Sequence, residues 1–106
     1  TFDNGIKDWM NSDSTALANN GGNTDLAAVT AMGYDAYFVA LEALKAAGST
    51  DPADVLAAMP SVTATGLVCG DVAFDEIGDA AKDAAIVKHC NTETGQWEYV
   101  GTQSIN

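Results

Sequence analysis

The spacing of apolar residues predicts helices over the first 60 residues of the chain. In residues 1–13 the apolar positions recur at the three- and four-residue steps of one helical face. The longest apolar stripe predicts a helix that begins at Asn23 or Thr24 and ends at Ala47, and Gly33 leaves open a break within it. Its apolar members are Val29, Met32, Tyr34, Tyr37, Phe38, Leu41 and Leu44. A stripe of this length is typical of a helix that packs against a larger body.

The rest of the chain is predicted to form a third helix followed by strands. Asp51 is predicted to cap this helix with Pro52 at its first position, and Pro60 ends it. From Ser61 onward apolar residues alternate with a period of two, which predicts strands. These strands are residues 68–74, 85–90 and 96–101. Helices followed by strands make this an α+β chain, with a helical part at residues 1–60 and a β hairpin with a terminal strand at residues 66–101.

The charge balance excludes nucleic acid as a partner. Fifteen Asp and Glu residues face four Lys and no Arg, which gives a formal net charge of −11. Binding to a phosphate backbone needs clustered Lys and Arg. Because Arg is also the usual bidentate clamp for anionic ligands, this chain alone is poorly suited to hold an anion. The acidity favours solubility, and selection of a cationic ligand stays open as the alternative.

The two cysteines are predicted to face each other across an antiparallel strand pair. If the strands on either side of a turn at residues 75–84 pair with Phe74 opposite Ala85, then Cys69 lies opposite Cys90. Directly paired strand residues lie about 4.5–5.5 Å apart at their Cα atoms, within the range of a disulfide. We therefore expect a Cys69–Cys90 disulfide and an oxidising, extracytoplasmic location. Two reduced cysteines in a cytosolic protein are the alternative.

The residues that could carry chemistry favour neither a metal site nor catalysis. His89 and Cys90 are neighbours on a strand, so their side chains point to opposite faces and cannot both reach one zinc ion. Asp35 and Glu42 lie two helical turns apart, which is more typical of a solvated stripe than of an acid–base pair. An acidic turn near the end of the chain lacks the ligand spacing of a calcium loop. Its members are Asp75, Glu76, Asp79 and Asp83. We expect no cofactor, no metal and no enzymatic activity.

Three short motifs resemble the C-terminal part of the solute-binding proteins that serve branched-chain amino acid ABC importers. The chain reads GYDA at residues 33–36, AGSTDP at residues 47–52 and GLVCGDVAFDEIGD at residues 66–79. Members of that family carry a GYDA helix, an AGSTDP junction and a hairpin of the form TG-x-(I/V)-x-FDENGD. The chain departs from this pattern at Cys69 and at Ile77, where Asn is usual. The resemblance covers residues 26–100.

The resemblance implies a fold and a function for a larger parent protein. The family has the type I periplasmic-binding-protein fold, an α/β fold of two lobes with about three times the present length. Its members close by a hinge motion around a small solute, here a branched-chain or related amino acid, and present it to an ABC permease. The chain is then a C-terminal segment, with its signal segment upstream and the parent in the periplasm or on the cell surface as a lipoprotein.

The family also implies a modest role for the start of the long helix. The segment that leads into the GYDA helix borders the ligand cleft, which implies a cleft-rim role for Val29, Thr30, Met32 and Tyr34. Most of the groups that hold the solute would come from earlier segments. Aromatic residues at helical spacing are more often core, so a core position for Tyr34 and its neighbours Tyr37 and Phe38 is the alternative.

The sequence leaves two other functions open. The same fold also serves as the ligand-sensing ectodomain of receptors and regulators. A structural or interaction module is the third possibility, because the apolar stripe of the long helix would be exposed in the isolated chain. In that case we expect a homodimer or a strand-swapped oligomer that buries the stripe.

Overall fold

The computed structural model describes residues 1–82 and 84–104 and is an α+β structure. Within these residues four α-helices are followed by two antiparallel sheets of two strands each, which confirms the predicted class. The helices are α1 (Phe2–Ser12), α2 (Ser14–Asn19), α3 (Ala28–Ala47) and α4 (Pro52–Ala58), and a short 3₁₀ helix follows at Met59–Ser61. The strands are β1 (Thr63–Ala64), β2 (Val72–Ala73), β3 (Ala84–Asn91) and β4 (Gln96–Ser104).

The long helix α3 begins later than its apolar stripe predicts. Asn23 does not cap the helix, because its side-chain oxygen accepts the amide of Asp25 at 2.9 Å in a turn that precedes it. The helix starts instead after Ala27, whose amide donates to the hydroxyl of Thr30 at 3.3 Å. Gly33 causes no break, since the helix is continuous through it.

The predicted junction between α3 and α4 is confirmed, whereas α4 ends at Ala58, before Pro60, which lies in the 3₁₀ helix. Gly48 follows α3 in the left-handed region with a φ of 62°, a conformation that is unstrained for glycine because it has no Cβ. Asp51 then caps α4, because its carboxylate accepts the amide of Ala53 at 2.8 Å. Pro52 occupies the first turn of α4, where its missing N–H is not needed.

The predicted hairpin between residues 68–74 and 85–90 is wrong. Val72 pairs with Ala64 of β1, whereas β3 pairs with β4. The cause lies in the turn after β2, where one oxygen of Asp75 accepts the amides of Ile77 and Asp79 at 3.0 and 2.9 Å. This turn closes the chain so tightly that Phe74 faces Ala80 rather than Ala85.

The core is small and belongs to the helical part and the β1–β2 sheet. Its buried apolar residues are Met10, Ala43, Val62, Ala64 and Val72. The β3–β4 sheet, which we call the terminal ribbon, is exposed along nearly its whole length. As a result the radius of gyration is 17.2 Å, against about 13 Å for a compact chain of this length.

Candidate functional site

A buried carboxylate joins the long helix to the loop before β2. Asp35, in the middle of α3, is only 4% exposed. One of its oxygens accepts the amide of Val68 at 2.9 Å, and the other accepts the amide of Cys69 at 2.7 Å. We call this pair of bonds the Asp35 tether. It fixes the loop at residues 65–71 against α3 across more than thirty residues of sequence.

The tether is charged, and its surroundings stabilise the charge. Burial by itself raises the pKa of the Asp35 carboxyl. The amides of Cys69 and Val68, the Cys69 thiol and the positive charge of Lys82 outweigh burial, so the net pKa lies below its ordinary value. Asp35 is therefore ionised at neutral pH, and both tether bonds are charge-assisted.

The loop held by the tether is braced by three further hydrogen bonds. The ammonium group of Lys82 donates to the backbone carbonyls of Cys69 and Asp71 at 3.2 and 3.3 Å. The carboxylate of Asp71 in turn accepts the amide of Gly66 at 2.9 Å. Burial, together with the hydrogen bond and the negative charge of Asp35, raises the pKa of the Cys69 thiol, which is therefore protonated at neutral pH.

A cavity of about 340 Å³ opens beside the tether, and we call it the Tyr34 cavity. Tyr34, Phe38 and Glu42 of α3 line it together with residues 63–68. The Tyr34 ring is held between two rings, with its centroid 4.9 Å from that of Phe2 and 5.1 Å from that of Phe38. A cavity that combines aromatic side chains with polar groups is a common arrangement for binding a small organic solute.

A second concave surface lies where α3, α4 and β2 meet, and we call it the apolar groove. Its volume is about 730 Å³. Its apolar lining includes Met32, Val39, Leu44, Val55, Met59 and Phe74. No described residue covers it, although grooves of this composition are usually filled by another element.

The four residues predicted at a cleft rim do not converge on one cavity. Tyr34 lines the Tyr34 cavity, whereas Met32 lines the apolar groove. Val29 is 69% exposed at the start of α3. Thr30 is half-buried, and its hydroxyl accepts the Ala27 amide. Tyr34 is thus the member of this set that lies in a cavity suited to a small solute.

The predicted disulfide is not formed. Cys69 and Cys90 both carry free thiols. The strand register on which the prediction depended is absent, because Cys90 faces Trp97 of β4 and Cys69 lies in the tethered loop.

The described residues contain no group of three His, Cys, Asp or Glu side chains that could hold a metal ion. In the acidic turn, Asp75 binds backbone amides as a turn former, and Asp83 lies outside the described residues. Within residues 1–82 and 84–104, no helix combines the length and apolar character that a bilayer crossing requires.

The comparisons with known proteins leave the chain without a match. No family model matches it, and neither does any curated protein or solved structure.

Sequence reasoning missed the role of Asp35 by placing it on a solvated stripe with Glu42. A signal was present, because Asp35 lies three residues from both Met32 and Phe38, within the apolar stripe of α3. A lone carboxylate at such a position is buried when α3 packs, and a buried carboxylate needs hydrogen-bond donors. The loop amides of Val68 and Cys69 supply them.

Proposed function

We propose that the chain is the C-terminal segment of an extracytoplasmic substrate-binding protein of an ABC importer. The solute is a branched-chain or related amino acid, and the partner of the complete protein is the importer's permease. One observation carries the proposal. The Asp35 tether joins the GYDA motif at residues 33–36 to the GLVCGDVAFDEIGD motif at residues 66–79, so two of the motifs that carry the resemblance form one structural unit.

The tether makes the two motifs depend on each other. A buried carboxylate without donors is strongly destabilising, and a loop amide without an acceptor costs free energy as well. Asp35 and the amides of Val68 and Cys69 satisfy these requirements together. If the motifs resembled the family by chance, they would not be expected to contact each other. The contact therefore supports the view that both motifs derive from one parent fold.

The Tyr34 cavity supplies the binding surface in this proposal. Tyr34 contributes an aromatic wall, and residues 63–68, whose loop is held by the tether, complete the lining. In the complete protein the other lobe would close over the solute in this cavity. Ligand contacts formed only in the closed state drive this closure as a shift in population.

The proposal is tested by thermal unfolding of the protein encoded by the whole reading frame, with each L-amino acid added in turn. A ligand at 100 times its dissociation constant adds about 2.7 kcal/mol of stability, which gives a clear rise in Tm. We expect leucine, isoleucine or valine to give the rise. A well-folded protein whose Tm responds to none of the amino acids would contradict the proposal.

A matched pair of tyrosine variants tests whether the Tyr34 cavity is the binding site. Tyr34→Ala removes the wall of the cavity, so the dissociation constant should rise about tenfold, as expected for loss of an aromatic contact. Tyr37→Ala is the control, because Tyr37 is 66% exposed and does not line the cavity. Equal affinity losses in the two variants would show that the Tyr34 cavity is not the site.

A further inference from the structure

The terminal ribbon presents an apolar face that is exposed among the described residues. Residues directly opposite in an antiparallel pair share a face. The pairs Cys90–Trp97, Lys88–Tyr99 and Ile86–Thr102 therefore place three large apolar side chains on the same side. Ile86, Trp97 and Tyr99 are 62%, 66% and 66% exposed. We call these three residues the ribbon face.

The apolar groove matches the ribbon face in chemistry and in length. The groove residues of α3 run from Met32 to Leu44, about 18 Å at 1.5 Å per residue. On β4 the ribbon face runs from Trp97 to Thr102, the partner of Ile86, about 17 Å at 3.4 Å per residue. A sheet with one apolar face is stabilised by packing on a helix, and neither surface has such a partner among the described residues.

The surface area of the chain gives the size of the missing contact. A compact monomer of this mass exposes about 5,600 Å². The chain exposes 7644 Å², an excess of about 2,000 Å² over that expectation. Two copies that each buried this excess would form an interface of about 4,000 Å², within the range of obligate homodimers.

The ribbon does not pack on the groove of its own copy, because Ile86, Trp97 and Tyr99 are all exposed. Its connection is short, since the amide of Ala81 donates to the carbonyl of Ala73 at 2.8 Å and β3 begins three residues later, at Ala84. A connection of this length restricts how far the ribbon can turn back over its own groove, which favours a second copy as the occupant.

We propose that the ribbon face of one copy lies in the apolar groove of a second copy, and the reverse, in a two-fold symmetric dimer. In such a dimer each copy contributes its ribbon face and its apolar groove, so one interface buries both surfaces of both copies. The proposal concerns the 106-residue chain itself and does not rest on the proposed function. Failure to dimerise leaves the amino-acid test unaffected.

The first test is the mass of the chain in solution, measured by size-exclusion chromatography with light scattering over a range of concentrations. We expect a dimer that dissociates only on dilution. A folded monomer at every concentration overturns the proposal.

A complementation experiment then identifies the surfaces. Trp97→Glu places a charge on the ribbon face, and Met32→Glu places one in the groove at a residue that is already 56% exposed. Each variant alone should raise the dimer dissociation constant at least about thirtyfold, the loss expected at an interface hot spot. An equimolar mixture retains one intact ribbon and one intact groove, so it should regain a dimer at high concentration.

The control variant is Gln103→Glu, which adds the same charge to the other face of the ribbon, opposite Ala85. It should dimerise like the unchanged chain, and circular dichroism should show that all three variants are folded. If Trp97→Glu or Met32→Glu dimerises as the unchanged chain does, or if their mixture stays monomeric, the dimer does not form by ribbon exchange.

Discussion

Replacing Asp35 by Asn tests the tether on which the architecture depends. Asn keeps one carbonyl acceptor, but it turns an NH₂ group toward the second loop amide. One charge-assisted hydrogen bond is lost. The introduced NH₂ group and the loop amide that it faces are both donors, so both are left without an acceptor. Hydrogen bonds to charged groups contribute about 1.5–3 kcal/mol each, and an unsatisfied buried donor adds a comparable cost. We expect a loss of about 3 kcal/mol, partly offset because a neutral amide is easier to bury.

The assay is urea unfolding of both proteins followed by circular dichroism, with amide hydrogen exchange as a local probe. A loss of about 3 kcal/mol lowers the urea midpoint by about 1–3 M, for a slope of about 1–3 kcal/mol per M. The amides of Val68 and Cys69 should exchange faster in the variant, because they donate to the replaced carboxylate. Asp8→Asn is the control, since Asp8 is exposed on α1 and should change stability by less than about 0.5 kcal/mol.

The pH dependence of folding stability provides a second test of the tether. The folded pKa of Asp35 lies below its ordinary value, so its contribution is fully present above the unfolded pKa of about 3.9. That contribution is lost as the pH falls through the folded pKa. The stability difference between the chain and Asp35→Asn should therefore be constant at neutral pH and shrink below about pH 4. A difference under about 1 kcal/mol at pH 7, or one that grows in acid, would refute the reasoning.

Two other predictions concern the tethered loop and the glycines. Because burial and Asp35 raise the pKa of the Cys69 thiol, iodoacetamide at pH 8 should modify it more slowly in the folded Cys90→Ser variant than in urea, and Asp35→Asn should speed the folded reaction. Equal folded and unfolded rates would contradict this. Gly78→Ala should lower the free energy of unfolding by about 1–2 kcal/mol, because the φ of Gly78 is 90°. Gly33→Ala should raise it by up to about 1 kcal/mol, because Gly33 lies inside α3 and a Cβ there meets open space. If urea unfolding shows that both substitutions change stability in the same direction, backbone conformation does not decide the outcome.

The local elements could be predicted because their causes are local. Gly48, Asp51 and Pro52 act through their own backbone preferences and their nearest neighbours, and all three occupy their predicted positions. The sequence also predicts a turn after Phe74, although the structure closes it within five residues, through the Asp75 carboxylate and the positive φ of Gly78, and not over residues 75–84. Such signals do not depend on how the elements pack together.

Strand pairing could not be predicted because it depends on how tightly each turn closes. The simplest register paired Phe74 with Ala85 and brought the cysteines together. The tighter Asp75 turn instead pairs Phe74 with Ala80, and β3 pairs with β4. The partners of Asp35 could not be predicted for a related reason, since they lie more than thirty residues away and no local pattern marks them, although the apolar stripe around Asp35 does indicate its burial.

The most direct test of the proposed function is small-angle X-ray scattering of the protein encoded by the whole reading frame, with and without a mixture of the twenty L-amino acids. A solute-binding protein of two lobes closes around its ligand, so we expect a smaller radius of gyration when the mixture is present. Scattering curves that superimpose, at amino-acid concentrations far above micromolar affinity, would contradict the proposal that this chain belongs to such a receptor.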